Sequence, residues 1–323
     1  MIKAVIARVN KFHYEKYAVF IALAVLFVIS AILSPYFIHI RNLLNILRQV
    51  SYVGIIALGM TFVMIGGGID LSVGSLVAFI GAIGILTLNY LMAILHNEYL
   101  AISGAILAAL IMGILSGALN GFLITRGRIA PFIVTLGTMA IFRSLSLFMA
   151  SAGEIRSVSG HYGNFGMNSI CFIPVPVLIM LIIAAILSII LNSTRYGRHL
   201  CAVGSNARVA LFSAVNGDRI KFLSYMLCGF TVSVSAVMLT SRFNAVSTSN
   251  TGMGFELDAI TAVIIGGTPF TGGRGTVWGT IVGVIILGII NNMLNMLGIS
   301  PYLQGTVKGL VIIGAVYMQR QKA

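Results

Sequence analysis

The sequence predicts an all-α polytopic membrane protein of about ten spans, in a range of eight to ten, at roughly 20 apolar residues per span. Three observations carry that class. Hydrophobic residues make up 59% of the 323 and charged residues only 8%, whereas a soluble domain carries roughly 25% charged residues, and the mean hydropathy is +1.04. The charges cluster between long apolar runs. Two glycine clusters, around Gly66 and Gly266, interrupt those runs.

A net charge of +13 raises the question of a nucleic-acid partner. No basic groove interleaved with aromatics is present, so nucleic acid is excluded and the charge is assigned to topology, because cytoplasmic loops collect Lys and Arg. Cys171, Cys201 and Cys228 share no ligand-like spacing and give neither a disulfide framework nor a metal site. The five histidines, His13, His39, His96, His161 and His199, are scattered through termini and loops, which argues against a membrane-embedded enzyme.

Met1–Lys16 holds Lys3, Arg8, Lys11 and Lys16 against Glu15 and precedes the apolar run Tyr17–Ser34. A cleaved signal peptide has this shape too, but the run is long enough to span and reads as a retained anchor with a cytoplasmic N-terminus (1–16). Tyr36–Gln49 then reads as a short amphipathic helix in the interface. Val50–Ile65 leads into Gly66, Gly67 and Gly68, past Asp70, and out through Gly74 and Ser75 into the span Leu71–Leu95. Each interior Gly costs a helix about 0.8–1 kcal/mol relative to Ala, and backbone freed this way survives at membrane depth only when buried in protein or beside a wet cavity. An acid at such a break marks the working part. Asp70 can instead be structural, capping a helix that starts at Leu71 or Ser72.

Leu100–Ile124 returns, with Gly104, Gly113, Gly117 and Gly121 at intervals suited to close helix packing. Arg126 and Arg128 mark a cytoplasmic end, and Pro131–Ala150 crosses again with Arg143 inside it. Ser151–Cys171 reads as an external loop, and Ile173–Asn192 spans back. The connection Ser193–Lys221 (193–221) holds Arg195, Arg198, Arg208, Arg219 and Lys221 against Asp218, which places it in the cytoplasm. Within it Asn206 is expected to cap a helix Ala207–Val215, stopped by Asn216 and Gly217. Val209, Leu211, Phe212 and Val215 give that helix an apolar surface fit for docking on another protein. Phe222–Thr240 spans, Ser241–Glu256 is external, and the short run Asp258–Ile265 enters the second cluster, Gly266, Gly267, Gly272, Gly273 and Gly275. Val277–Leu297 and Tyr302–Met318 complete the chain, and Arg320 and Lys322 lie in a cytoplasmic tail.

The clusters look like copies. Val63–Gly67 aligns with Val263–Gly267 at an offset of 200, and Gly74–Ser75 with Gly275–Thr276 at 201. Residues 50–150 and 258–318 then form a parallel internal repeat within one transmembrane domain (1–323), and transporters often place the substrate site between such units. The polar residues at or near the breaks, the candidates to face a transported solute, are Thr61, Asp70, Ser72, Ser75, Asn120, Thr268, Thr271, Asn291 and Asn292. Glu256 and Asp258 stand where an external protein could be received, or are simply solvated. Lys308 is left to an ion pair with Asp70 or Asp258, or to snorkelling. No G-x-x-x-x-G-K-[ST] phosphate loop occurs, so energy for uphill transport must come from a partner.

Four stretches, Gly59–Ser75, Thr194–Gly217, Glu256–Thr280 and Asn291–Ser300, resemble the permease subunit of ribose-type ABC sugar importers, and the resemblance covers essentially the whole chain. It implies a homodimer or paired permease with an ATPase component inside, an extracytoplasmic sugar-binding protein outside, ATP and Mg bound by the ATPase and no cofactor on this chain. It also implies a multi-pass protein of the bacterial inner membrane with both termini cytoplasmic. Arg208 and Ser213 depart from the residues expected in the family's coupling helix. The competing class is a stand-alone channel or secondary transporter, which leaves the basic 193–221 connection without a purpose.

Overall fold

The computed structural model describes residues 19–320. The expected cytoplasmic N-terminus (1–16) and Lys322 lie outside the described residues. Thirteen helices run in order: α1 (Val19–Leu33), α2 (Ile40–Ile65), α3 (Val73–Leu95), α4 (Glu98–Thr125), α5 (Pro131–Met149), α6 (Asn164–Met167), α7 (Val175–Ser193), α8 (Arg195–Ser205), α9 (Ala207–Phe212), α10 (Gly217–Phe243), α11 (Phe255–Ile265), α12 (Val277–Met296) and α13 (Pro301–Arg320). Seven of these, α2, α3, α4, α5, α7, α10 and α12, are long and apolar enough to cross a membrane. The other apolar helices fall short among the described residues, where α1 begins at Val19. Helix α11 has 11 residues, about 16 Å at 1.5 Å per residue, and α13 carries Gln304, Lys308 and Arg320.

One boundary is corrected. Tyr36–Gln49 is not a separate interfacial helix, because its residues from Ile40 onward continue unbroken to Ile65. Nothing between Arg41 and Val53 breaks a helix, and propagation adds a hydrogen bond for each residue fixed. The 26 residues of α2 run about 39 Å. The first glycine cluster therefore ends a full-length helix, and only the second follows a half-length one.

Helices α2 and α10 form the spine, their central residues Ile55 to Ile65 and Cys228 to Ala236 being largely buried. The small residues of α4 do what their spacing promised. A methyl added at Gly113, Gly117 or Gly121 would strike the α10 backbone at Gly229, Tyr225 or Phe222, so the helices touch main chain to main chain. Two small ribbons decorate one end. β1 (Glu154–Arg156) pairs antiparallel with β4 (Ala245–Ser247), while β2 (Ser169–Ile170) and β3 (Ile173–Pro174) make a hairpin. Sequence reading made Ser151–Cys171 a plain loop; it holds β1, α6 and β2. At that end Glu98 accepts from the Ser159 hydroxyl and lies 2.6 Å from His161 Nδ1, tying the α3–α4 turn to this segment. At the opposite end Arg128, Val203, Ala207 and Lys221 line a common groove, so the basic connections gather on one side.

Candidate translocation and coupling site

Both glycine clusters close their helices in the same way. Gly66, Gly67 and Gly68 donate their N–H groups to the carbonyls of Phe62, Met64 and Val63, and Gly266, Gly267 and Thr268 donate to Ala262, Ile264 and Val263. This is a Schellman closure, and it needs a left-handed residue at its centre: Gly67 has φ +76 and Gly267 φ +95. Carbonyls that lipid could not satisfy are thereby taken up. The Ile65 carbonyl accepts from Gly273 N–H at 2.8 Å, so the two clusters are joined by a main-chain hydrogen bond.

On the way out of the first turn stands a buried polar knot. Asp70 is 2% exposed, and its Oδ1 accepts from Ser72 N–H at 2.9 Å and from the Ser72 hydroxyl at 2.6 Å. Asn120 on α4 donates to Asp70 Oδ2 at 3.4 Å and to Ser72 Oγ at 2.9 Å. Tyr225 donates its hydroxyl to the neighbouring Ile69 carbonyl at 3.0 Å. Asp70 thus braces the turn at residues 70–72; the first helical residue is Val73, with Ser72 at the cap position, not Leu71 or Ser72 as expected. Among the described residues no cation forms an ion pair with Asp70. Ser75, in the first turn of α3, is buried too.

The other candidate path residues divide by environment. Thr61 meets Thr280 hydroxyl to hydroxyl at 2.7 Å, pinning α2 to α12. Asn292 and Asn42 exchange amide hydrogen bonds at 2.8 and 3.2 Å. Thr271 is exposed. Thr268 and Asn291 each keep a buried oxygen without a partner among the described residues. Asn291 lines a small cleft of about 60 Å³ with Gln49, Val53, Asp258 and Leu287, between α2, α11 and α12.

Glu256 and Asp258 are drawn inward. Asp258 pairs with Lys308 at 2.9 Å, which decides between the partners open to that lysine. A methyl at Gly74 would strike the Glu256 carboxylate and the Gly252 carbonyl, so the start of α11 lies against the start of α3. Arg143 donates to the Thr248 and Thr251 carbonyls at 2.7 and 3.0 Å. The segment 248–254 therefore descends beside α3 and α5 before α11 begins. Exposed charge at this end is carried by Glu154 and Arg156, paired with each other at 2.9 Å.

At the basic end, Thr194 caps α8 and Asn206 caps α9, its Oδ1 accepting from Arg208 and Val209 N–H at 3.0 and 3.1 Å. Val209, Leu211 and Phe212 are exposed, Phe212 at 90%. The helix is shorter than expected. It ends at Phe212 because Ala214 turns left-handed at φ +58 and Val215 N–H reaches back to the Ala210 carbonyl. Val215 then packs inward. Asn216 and Gly217 do not stop α9; Asn216 caps α10, and Gly217 is its first residue.

Comparison with known proteins follows the same lines. A family model described as "Branched-chain amino acid transport system / permease component" matches residues 42–316. The chain is 41% identical over 321 residues to a protein named ribose import permease protein RbsC of Bacillus subtilis (strain 168), covering 96% of this chain and 94% of that one. It is 39% identical over 306 residues to the protein of the same name in Escherichia coli (strain K12), covering 94% and 92%. It is 36% identical over 308 residues to the D-allose transport system permease protein AlsC of that strain, covering 95% and 92%. No solved structure matches. With a family match over most of its length, and relatives that align from end to end, the chain belongs to the permease-component family of the branched-chain amino acid transport systems, as a multi-pass, non-catalytic ABC import permease.

Proposed function

We propose that this chain passes a small monosaccharide, ribose or a close relative, from an extracytoplasmic binding protein to the cytoplasm, driven by a separate ATPase subunit that holds the ATP and Mg. The observation that carries the reading is α9, a capped helix on the basic side that leaves Phe212, Leu211 and Val209 uncovered. An apolar face on a charged connection fits the helix-in-groove mode of partner recognition. The names of the relatives, ribose and D-allose permeases, supply the substrate class. The cargo is neutral, and the breaks offer hydroxyls and amides for it.

The same reading places two copies of the chain in the bacterial inner membrane, with 193–221 and both termini in the cytoplasm. Residues 50–150 and 258–318 act as parallel repeat units; the matching closures at Gly66 and Gly266 support this. The cleft beside α11 has a volume of about 60 Å³, well below the roughly 300–1,000 Å³ of a whole small-molecule site, so it offers a passing sugar a single contact, the unpartnered Asn291 oxygen. The test is reconstitution in proteoliposomes. Labelled ribose should accumulate only when ATPase subunit, ATP and sugar-loaded binding protein are all present; uphill uptake by the chain alone would overturn the proposal. In the active complex Asn291→Leu should reduce uptake about tenfold, one well-made polar contact being worth about 1.4 kcal/mol.

A further inference from the structure

The end of α8 touches both glycine turns. Gly204 lies so close that a methyl there would overlap the Ile65 carbonyl oxygen and come within 2.6 Å of Gly273 N. The Ser205 hydroxyl donates to the Cys201 carbonyl at 2.7 Å and reaches the Gly273 carbonyl at 3.4 Å. Gly273, at φ +82, has room for nothing larger: a methyl would stand 2.8 Å from Ser205 Cα and 2.9 Å from Ser205 N. One turn earlier on α8, Leu200 is 3.2 Å from where a Gly66 methyl would be. Three segments remote in sequence, 65–67, 204–205 and 272–273, therefore share one main-chain junction built on the Gly273-to-Ile65 hydrogen bond.

The next residue after Ser205 is Asn206, which caps α9. No linker separates the docking helix from the junction. Ile65 ends α2, and Gly273 stands four residues before α12, the two helices pinned through Thr61 and Thr280 and flanking the Asn291 cleft. We infer that Gly204 and Ser205 are positioning residues, through which displacement of α9 is delivered to both glycine turns together. This rests on the reading of α9 as the ATPase contact. Packed main chain without a compressible side chain transmits displacement instead of absorbing it, and coupling between distant sites travels through such contiguous contacts.

The experiment uses the reconstituted complex with ATPase subunit and binding protein, and compares wild type, Gly204→Ala, Ser205→Ala and the control Gly137→Ala, where nothing lies within 4 Å of the new methyl. The readout is ribose imported per ATP hydrolysed, normalised to assembled complex; a merely structural role would lower the amount of complex and leave that ratio alone. The ratio should fall about tenfold in Gly204→Ala and about threefold in Ser205→Ala, the range for residues that carry coupling, with Gly137→Ala unchanged. If Gly204→Ala does not assemble, Ser205→Ala decides. A wild-type ratio in every serine or glycine variant that assembles overturns the inference. Absence of ATP-driven uptake in the wild-type complex overturns the transport reading itself, and this inference with it.

Discussion

Asp70 is an acid in apolar surroundings with three donors aimed at it: Ser72 N–H, the Ser72 hydroxyl and the Asn120 amide. Removing the acceptor orphans them, at about 1–3 kcal/mol for each buried group left unpaired. Asp70→Ala should therefore lower the thermal unfolding temperature of the detergent-purified chain and abolish uptake. Asp70→Asn should stay within about 1 kcal/mol of wild type, because the introduced amide keeps one acceptor oxygen and Asn120 can turn its unpartnered oxygen towards the new donor. Normal uptake in Asp70→Asn would rule out a role for the charge. The residues D-L-S after three glycines made the local half of this knot legible. Its other half was not, because Asn120 lies 50 positions away and only the packing of α4 against the turn that opens α3 brings it in. The Arg143 contacts escaped for a related reason: backbone carbonyls leave no mark in a sequence.

At the level of elements, α9 and α4 carry separate expectations. Phe212 is 90% exposed, so Phe212→Asp should leave the unfolding temperature of the isolated chain unchanged while uptake and sugar-stimulated ATPase activity in the complex are lost. On α4, Gly117→Val drives a branched side chain into the Tyr225 main chain and should destabilise by about 1–3 kcal/mol, whereas Gly137→Val on α5, with open space around it, should change stability by less than about 0.5 kcal/mol. Thermal melts of the two purified variants make the comparison. The existence and order of the apolar helices could be read from periodicity and charge, and so could the Asn206 cap. Boundaries could not. Asn216–Gly217 has the chemistry of a stop and serves as a start, since Asn caps either way. Ala214 stops α9 with no sequence signal at all, a left-handed alanine being held by the return of Val215 to Ala210. Likewise α2 runs through Arg41 and Arg48, within the stretch read as an interfacial helix, because charged side chains do not interrupt backbone hydrogen bonding.

Across the whole molecule, the half-length α11 is held from two sides, by Lys308 of α13 through Asp258 and by Arg143 of α5 through the descending segment before it. Lys308→Met should leave Asp258 unpaired and lower uptake, and the double variant Lys308→Met, Asp258→Asn should recover part of the loss; a double variant no better than the single would show that the pair does not matter for transport. Sequence alone set Lys308 between two possible acids, because the choice depends on how α13 lies against α11. The ladder of β1 with β4 has its own outcome. Strand β4 ends at Ser247, α11 begins at Phe255, and Thr248 is fastened to Gly153 by both its N–H and its hydroxyl. Whatever leans on that small ribbon tugs a stalk only seven residues long, at whose far end hangs the half-length α11.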